Sequence, residues 1–225
     1  MTIGISLSTS QSTLSASSEE AFYIVVTARI LTSPHPERAI TLWTHLSPLD
    51  NLHTRAFANI ECITTSEAKP IRIFPNNWPH YIWDSEHIRK DDCWRFVTIP
   101  PRGQGTFLVR HPVPLEAIRD AEVSRGERYR AKLTDICLGT RWWTFGTLED
   151  LEGVRLRMWR SKADEEAEAE EERSLLNDPE GYEVIEKENE ERFGKNYREM
   201  PSSMGEEPKM LAMVPEVGEV EFEVI

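Results

Sequence analysis

What most limits the folds open to this chain is a train of short, β-prone runs broken by proline and glycine. Phe22-Tyr23-Ile24-Val25-Val26-Thr27-Ala28-Arg29-Ile30 is dense in β-branched and aromatic residues, and Ser33-Pro34-His35-Pro36 ends it. Further runs follow at 39–45, 57–63, 71–74, 93–99, 106–111, 128–134 and 140–145. A parallel α/β sheet needs a helix between successive strands, so eight short strands joined by turns predict an antiparallel β-sandwich instead. The run at 128–134 alternates, with Tyr129, Ala131 and Leu133 on one face and Arg128, Arg130 and Lys132 on the other, the pattern of a half-buried strand. Pro114-Leu115-Glu116-Ala117-Ile118-Arg119 is long enough for one helical turn across the sandwich end.

The segment Leu42-Trp43-Thr44-His45-Leu46-Ser47-Pro48-Leu49-Asp50 precedes a strand, Pro100-Pro101-Arg102-Gly103-Gln104-Gly105, a second strand and Gly126-Glu127-Arg128-Tyr129-Arg130. Over about 20–135 this order resembles the immunoglobulin-like β-sandwich attached to some deuterolysin-type metallopeptidases, and fungal proteins built on the same module. The resemblance implies an immunoglobulin-like fold and transfers no active site. The peptidase chemistry needs a helical H-E-x-x-H zinc pair, and none of His35, His45, His53, His80, His87 and His111 stands in that spacing.

Charge divides the chain. Residues 161–225 hold 7 Lys+Arg and 21 Asp+Glu, a net −14, while the chain as a whole carries −13 and the first 160 residues are close to neutral. An acidic balance disfavours nucleic acid, whose affinity for proteins rests on cations that release phosphate counterions, and it disfavours an anionic membrane surface. No run approaches the roughly 18 apolar residues of a membrane span, and the start lacks the pattern of a secretory signal. Cys62, Cys93 and Cys137 share no metal-type spacing and read as reduced thiols, which suits the cytosol, with the nucleus as the other address.

At the N-terminus, ten of the first eighteen residues are Ser or Thr, a composition that predicts a disordered lead-in over 1–19. The sandwich is expected over 20–160. Within it, Thr147-Leu148-Glu149-Asp150 matches a capping pattern closed by Gly153, and 154–160 alternates as a last strand. Beyond it, 161–200 reads as an acidic helical extension and 201–225 as a tail with a strand-like end, Gly218-Glu219-Val220-Glu221-Phe222-Glu223-Val224-Ile225. Tyr182, Val184, Ile185, Phe193, Phe222 and Val224 supply apolar anchors, so part of the tail is expected to dock back on the body.

Two groups of residues are candidates for binding. Trp78, His80, Tyr81, Trp83 and Asp84 lie on a proline-containing connection and could frame a stacking platform or pocket mouth; the alternative is that the aromatics cap one end of the core. Arg141, Trp142 and Trp143 form the second group. In a strand the two Trp point to opposite faces, so one enters the core and the other needs a cover, from this chain or from a partner. The run Asp164-Glu165-Glu166-Ala167-Glu168-Ala169-Glu170-Glu171-Glu172 is either a solvated helical face or a docking surface for a basic partner. No catalytic triad, phosphate loop, metal motif or cofactor site is visible. The expected function is a non-enzymatic protein-interaction or scaffold module; the alternative is a small-molecule binding protein or cryptic enzyme with its pocket near 78–83.

Overall fold

The computed structural model describes residues 1–16, 20–45, 47–50, 59–73, 88, 95–135, 138–140, 142–156, 170, 202–203 and 211–225. The described chain is mainly β. In order it forms β1 (Thr2–Thr9), β2 (Thr13–Leu14), β3 (Phe22–Thr32), β4 (Ile40–Trp43), β5 (Asn59–Cys62), β6 (Ile71–Arg72), β7 (Phe96–Ile99) and β8 (Phe107–Val113). Then come the short helix α1 (Leu115–Asp120), β9 (Arg128–Lys132), β10 (Gly139–Thr140), β11 (Trp143–Phe145), β12 (Arg155–Leu156), β13 (Ser202–Ser203), β14 (Leu211–Val217) and β15 (Glu219–Val224).

Two five-stranded sheets carry most of these elements. The first has the order β10-β14-β1-β3-β8 and the second β2-β15-β9-β5-β6; β11-β4-β7 and β12-β13 form smaller sheets. One hydrophobic cluster joins the two large sheets, with Ile3, Ile5, Ile24, Val26 and Met213 from the first and Ile60, Ile71, Tyr129, Phe222 and Val224 from the second. Phe22 and Phe222 bridge the two, with ring centroids 4.7 Å apart. A second cluster holds Trp43, Ile88, Phe96, Trp142 and Leu151.

The N-terminal segment departs most from expectation. Residues 2–9, expected as part of a disordered lead-in, form β1 at the centre of the first sheet, flanked by β3 and β14. The physical reason is a period of two: Ile3, Ile5 and Leu7 are 0%, 0% and 4% exposed, while Gly4, Ser6 and Ser8 point the other way. Burial of three branched apolar side chains outweighs the polar composition, since each contributes about 1.5–3 kcal/mol. Of the serines and threonines that suggested disorder, Ser6 and Ser8 occupy the outer face of β1, a position that suits them.

The C-terminal end is likewise interior and not an appendage. β14 runs parallel to β1, with Ile3 opposite Met213 and Gly4 opposite Val214. β15 runs parallel to β2 and antiparallel to β9. The sheets are therefore mixed, which corrects the antiparallel expectation. Parallel pairing requires partners far apart in the chain, and here the partners are its two ends, a juxtaposition that short-range turn signals do not encode. Both ends change sheets side by side, β1 to β2 across Ser10–Ser12 and β14 to β15 across Gly218. A backbone bond holds each crossing: Glu223 N–H donates to the Ser12 carbonyl at the first, and Leu133 N–H to the Gly218 carbonyl at the second.

The strand at 128–134 behaves as its alternation predicts. Tyr129 and Ala131 are fully buried, and Arg128, Arg130 and Lys132 face outward, opposite Glu223, Glu221 and Glu219 of β15. Arg128 and Arg130 both pair with the Glu221 carboxylate, which the Arg130 hydrogen bond and the two guanidinium charges hold below the usual range. Three acidic residues of the expected acidic tail thus complement a basic strand and fix its register. Around Thr147 the capping pattern is present as a reciprocal pair: Thr147 N–H and Oγ1 donate to Asp150 Oδ2 at 2.8 Å, and Asp150 N–H donates to Thr147 Oγ1 at 3.2 Å. It closes turns over 148–153, and Gly153, at φ 76°, ends them in the left-handed region that glycine adopts freely. Of the last strand expected in the body, Arg155–Leu156 lies within the described residues and pairs with β13. The acidic helical extension falls outside them, save Glu170.

Candidate functional site

The described surface carries a trough on the outer face of the first sheet. Alternation places Ser6 of β1 and Thr27 and Arg29 of β3 on that face, directly behind the core residues Ile5, Leu7, Ala28 and Ile30. One cross-strand row runs Leu108–Thr27–Ser6–Val217 through β8, β3, β1 and β14. The trough has a volume of about 360 Å³ and is lined by Ser6, Thr27, Arg29, Thr106, Glu216 and Val217. Three hydroxyls, one guanidinium, one carboxylate and the aliphatic side chain of Val217 therefore converge on a concave strip. Val217, at 47% exposure, lines the trough, and Leu108, at 45%, ends the same cross-strand row on β8.

Arg29 and Glu216 organise this strip. Arg29 Nε donates to Glu216 Oε2 at 2.8 Å, and Arg29 Nη2 donates to Glu216 Oε1, a two-pronged pairing. These hydrogen bonds hold the Glu216 carboxyl below the usual carboxylate range. A shift in the β1–β14 register between Ile5 and Ser6 leaves Glu216 unpaired in the ladder between Pro215 and Val217. That extra residue re-aims the carboxylate across the strand, as a bulge does. Gly4 makes the approach possible: a Cβ there would lie 2.8 Å from the Glu216 carboxyl carbon and 3.0 Å from Leu31 Cδ2.

A second concentration of polar groups is buried beneath the 44–50 segment. Asp50 is 0% exposed, His111 3% and Arg95 5%. His111, on β8, donates from Nε2 to the Pro48 carbonyl at 3.0 Å, which assigns the proton of the neutral ring to that nitrogen. Burial lowers its pKa to about 4, against the opposing pull of the Pro48 hydrogen bond and the Asp50 charge. His45 Nδ1 lies 3.9 Å from Asp50 Oδ2, and Trp43 stacks on the His45 ring with centroids 5.0 Å apart. Thr44 donates its N–H and Oγ1 to the Arg95 carbonyl, Ser47 N–H donates to the Thr44 carbonyl, and Asp50 N–H to that of Ser47. These bonds fold the segment over the seam between β4, β7 and β8. Among the described residues no group of three His, Cys, Asp or Glu side chains stands close enough to hold a metal ion.

The two sequence candidates fare differently. Trp78, His80, Tyr81, Trp83, Asp84 and Arg141 lie outside the described residues. Trp142, just before β11, and Trp143, its first residue, enter different clusters and both are buried, at 1% and 9%, so neither is left on an outer face as expected. Trp143 enters the main core, edge-on to Phe145 with centroids 5.5 Å apart. Trp142 enters the second cluster, edge-on to Phe96 at 5.5 Å, and its cover is Trp43, Ile88 and Leu151, with Leu148 and Val154 packed on the outside. The cover over Trp142 therefore includes the turn around 148–154, which sequence reasoning had not connected with this residue. Thr140 secures the pair from behind, donating from Oγ1 to the carbonyls of Trp43 at 2.6 Å and Trp142 at 3.1 Å. Cys62 is a free, half-buried thiol; Cys93 and Cys137 lie outside the described residues.

None of the trough residues was singled out in the sequence. The available signal was the outward polar set Gly4, Ser6, Ser8 on β1 and Thr27, Arg29 on β3, but recognising it required knowing that β1 is a strand. No family model matches the chain, and no characterised protein or solved structure matches it at a significant level. No helix among the described residues is long and apolar enough to cross a membrane.

Proposed function

We propose that this chain is a non-enzymatic protein-interaction module whose docking surface is the outer face of the first sheet. The observation that carries this reading is the open trough lined at one end by the exposed Val217, with the exposed Leu108 in the same cross-strand row as Thr27 and Ser6. Pockets for small ligands bury most of the ligand surface, whereas this strip is shallow and flanked by half-exposed aliphatic side chains, as a protein-binding patch is. The Arg29–Glu216 pair and the hydroxyls of Ser6, Thr27 and Thr106 would give such a patch directional hydrogen bonding.

The finer architectural reading belongs here too. The single core shared by two five-stranded sheets supports an immunoglobulin-like sandwich, and the net −10 of residues 161–210 supports an acidic extension that attracts a basic partner in the cytosol or nucleus.

The test is face-specific photocrosslinking in extracts of the native host. A photoreactive residue at Thr27 should capture a discrete partner, while one at Arg130, on the outer face of the second sheet, should not. Thr27→Arg and Val217→Asp should each reduce that capture at least tenfold without lowering the melting temperature. Equal capture from both faces, or capture indifferent to the two substitutions, would remove the basis for this assignment.

A further inference from the structure

Residues 211–225 fill an interior slot in both large sheets. In the first, β14 sits between β10 and β1; in the second, β15 sits between β2 and β9. Leu211, Met213, Phe222 and Val224 enter the core at 3%, 3%, 3% and 0% exposure. Backbone bonds close the slot at both ends. Met213 N–H donates to the Leu138 carbonyl, Val224 N–H to that of Glu127, and Ile225 N–H to that of Leu14; Gly126 N–H donates to the Val224 carbonyl. Withdrawing the segment would expose a strand edge on each side of the gap in both sheets, in register to receive an identical strand.

The connection leading to this segment is long. Fifty-four residues separate Leu156 from Leu211. Among the described residues of that stretch, the strand pairing that ties it down is the two-residue contact of β13 with β12. A pairing so short contributes little against the full ladders of β14 and β15.

We propose that residues 211–225 form an exchangeable strand and that two copies of this chain associate by trading it, each seating its β14–β15 in the slot of the other. The chemistry of the slot identifies the occupant. Lys132, Arg130 and Arg128 face Glu219, Glu221 and Glu223, and Phe222 packs between Phe22 and Tyr129, at centroid distances of 4.7 and 6.0 Å. A second copy brings the same carboxylates and the same apolar side chains in the same register, so the traded state keeps every contact of the closed one. What separates the two states is concentration. For a connection of tens of residues the intramolecular advantage is an effective concentration on the order of 0.1–1 mM, so the closed monomer prevails below that range and exchange gains above it.

The experiment uses full-length chains carrying two different affinity tags, mixed at increasing concentration and separated by size and tag. Mixed dimers are expected, with the dimer-to-monomer ratio rising about tenfold for each tenfold rise in concentration while dimers are scarce. Lys132 and Glu219 are directly opposite on β9 and β15, so the double variant K132C/E219C can be oxidised to tie the strand to its own slot. Oxidised copies should form no mixed dimers, and reduction should restore them, which shows that the variant folds. Excess synthetic peptide spanning 211–225 should suppress mixed dimers, and a scrambled peptide should not. Absence of mixed dimers up to about 1 mM, or mixed dimers formed equally well by the oxidised variant, would overturn the proposal. The second result would place association on another face.

Discussion

Replacing Phe222 by alanine separates burial from charge as the force that holds the C-terminal strand. Phe222 is 3% exposed and lies between the rings of Phe22 and Tyr129. Removing a buried phenylalanine ring costs about 3–5 kcal/mol, transfer and cavity terms together. For a domain of this size each kcal/mol moves the melting temperature by about 2–4 °C, so Phe222→Ala should lower it by roughly 6–20 °C. Two residues of the same strand flank this position from the opposite face. Glu221 pairs there with Arg128 and Arg130, whose side chains are 57% and 38% exposed, and solvent screens such pairs. Glu221→Gln should therefore cost only a small fraction of the loss at Phe222. Raising sodium chloride from 0.1 to 1 M, which shortens the screening length from about 10 to 3 Å, should also change little. Thermal and urea unfolding, monitored by near-ultraviolet circular dichroism, supply both numbers. A Phe222→Ala protein melting within about 2 °C of the parent, or a Glu221→Gln protein losing as much, would refute the claim that apolar packing holds this strand.

Three further outcomes are expected. His111 is buried with its pKa lowered from 6.5 to about 4. Its neutral form therefore contributes stability that is complete above 6.5 and lost as pH falls from there through 4. At 1.36 kcal/mol per pH unit this amounts to about 3 kcal/mol. His111→Gln, which keeps a donor for the Pro48 carbonyl, should flatten the stability profile between pH 6.5 and 4; an unchanged acid profile would assign the loss to other groups. Thr140→Val should destabilise by about 1–3 kcal/mol, because it removes the hydroxyl that serves two buried carbonyls behind the tryptophan pair; a neutral result in urea unfolding would mean that those carbonyls find other donors. Gly4→Ala should displace the Glu216 carboxylate and break its fork with Arg29, visible as a rise of the Glu216 carboxyl pKa toward the ordinary glutamate value in a carboxyl-selective NMR titration, and an unmoved pKa would show that the carboxylate accommodates the methyl group.

Legibility in the sequence followed the length and purity of each local pattern. β3 was plain because nine consecutive β-prone residues precede a proline turn, and β9 because Arg128, Arg130 and Lys132 alternate with Tyr129 and Ala131. α1 was plain too, between Pro114 and a turn. β1 has equally clean alternation, but Ile3, Ile5 and Leu7 are set among ten serines and threonines, a composition that hides the period. The parallel partnerships of β1 with β14 and of β2 with β15 were not legible, since no local signal tells a strand which distant segment will pair with it. Nor was the trough: its lining comes from β1, β3, the turn before β8 and the bulged end of β14, so it exists only once those partnerships are made. The sequence places one tryptophan of the Trp142–Trp143 pair in the core and the other on an outer face, whereas both are buried. What lay beyond reach was that a three-residue strand and a following turn would give each indole its own cluster.

The integration of both chain ends into the sheets is tested most directly by amide hydrogen exchange at single-residue resolution. Ile3, Ile5 and Leu7 of β1, Met213 of β14 and Phe222 of β15 should all be strongly protected, with protection free energies of at least several kcal/mol, whether they open with the whole domain or with withdrawal of residues 211–225. Protection of the β1 amides within about tenfold of an unstructured peptide, while β3 and β9 remain fully protected, would contradict it. The N-terminal segment would then be the lead-in that its serine and threonine content suggests.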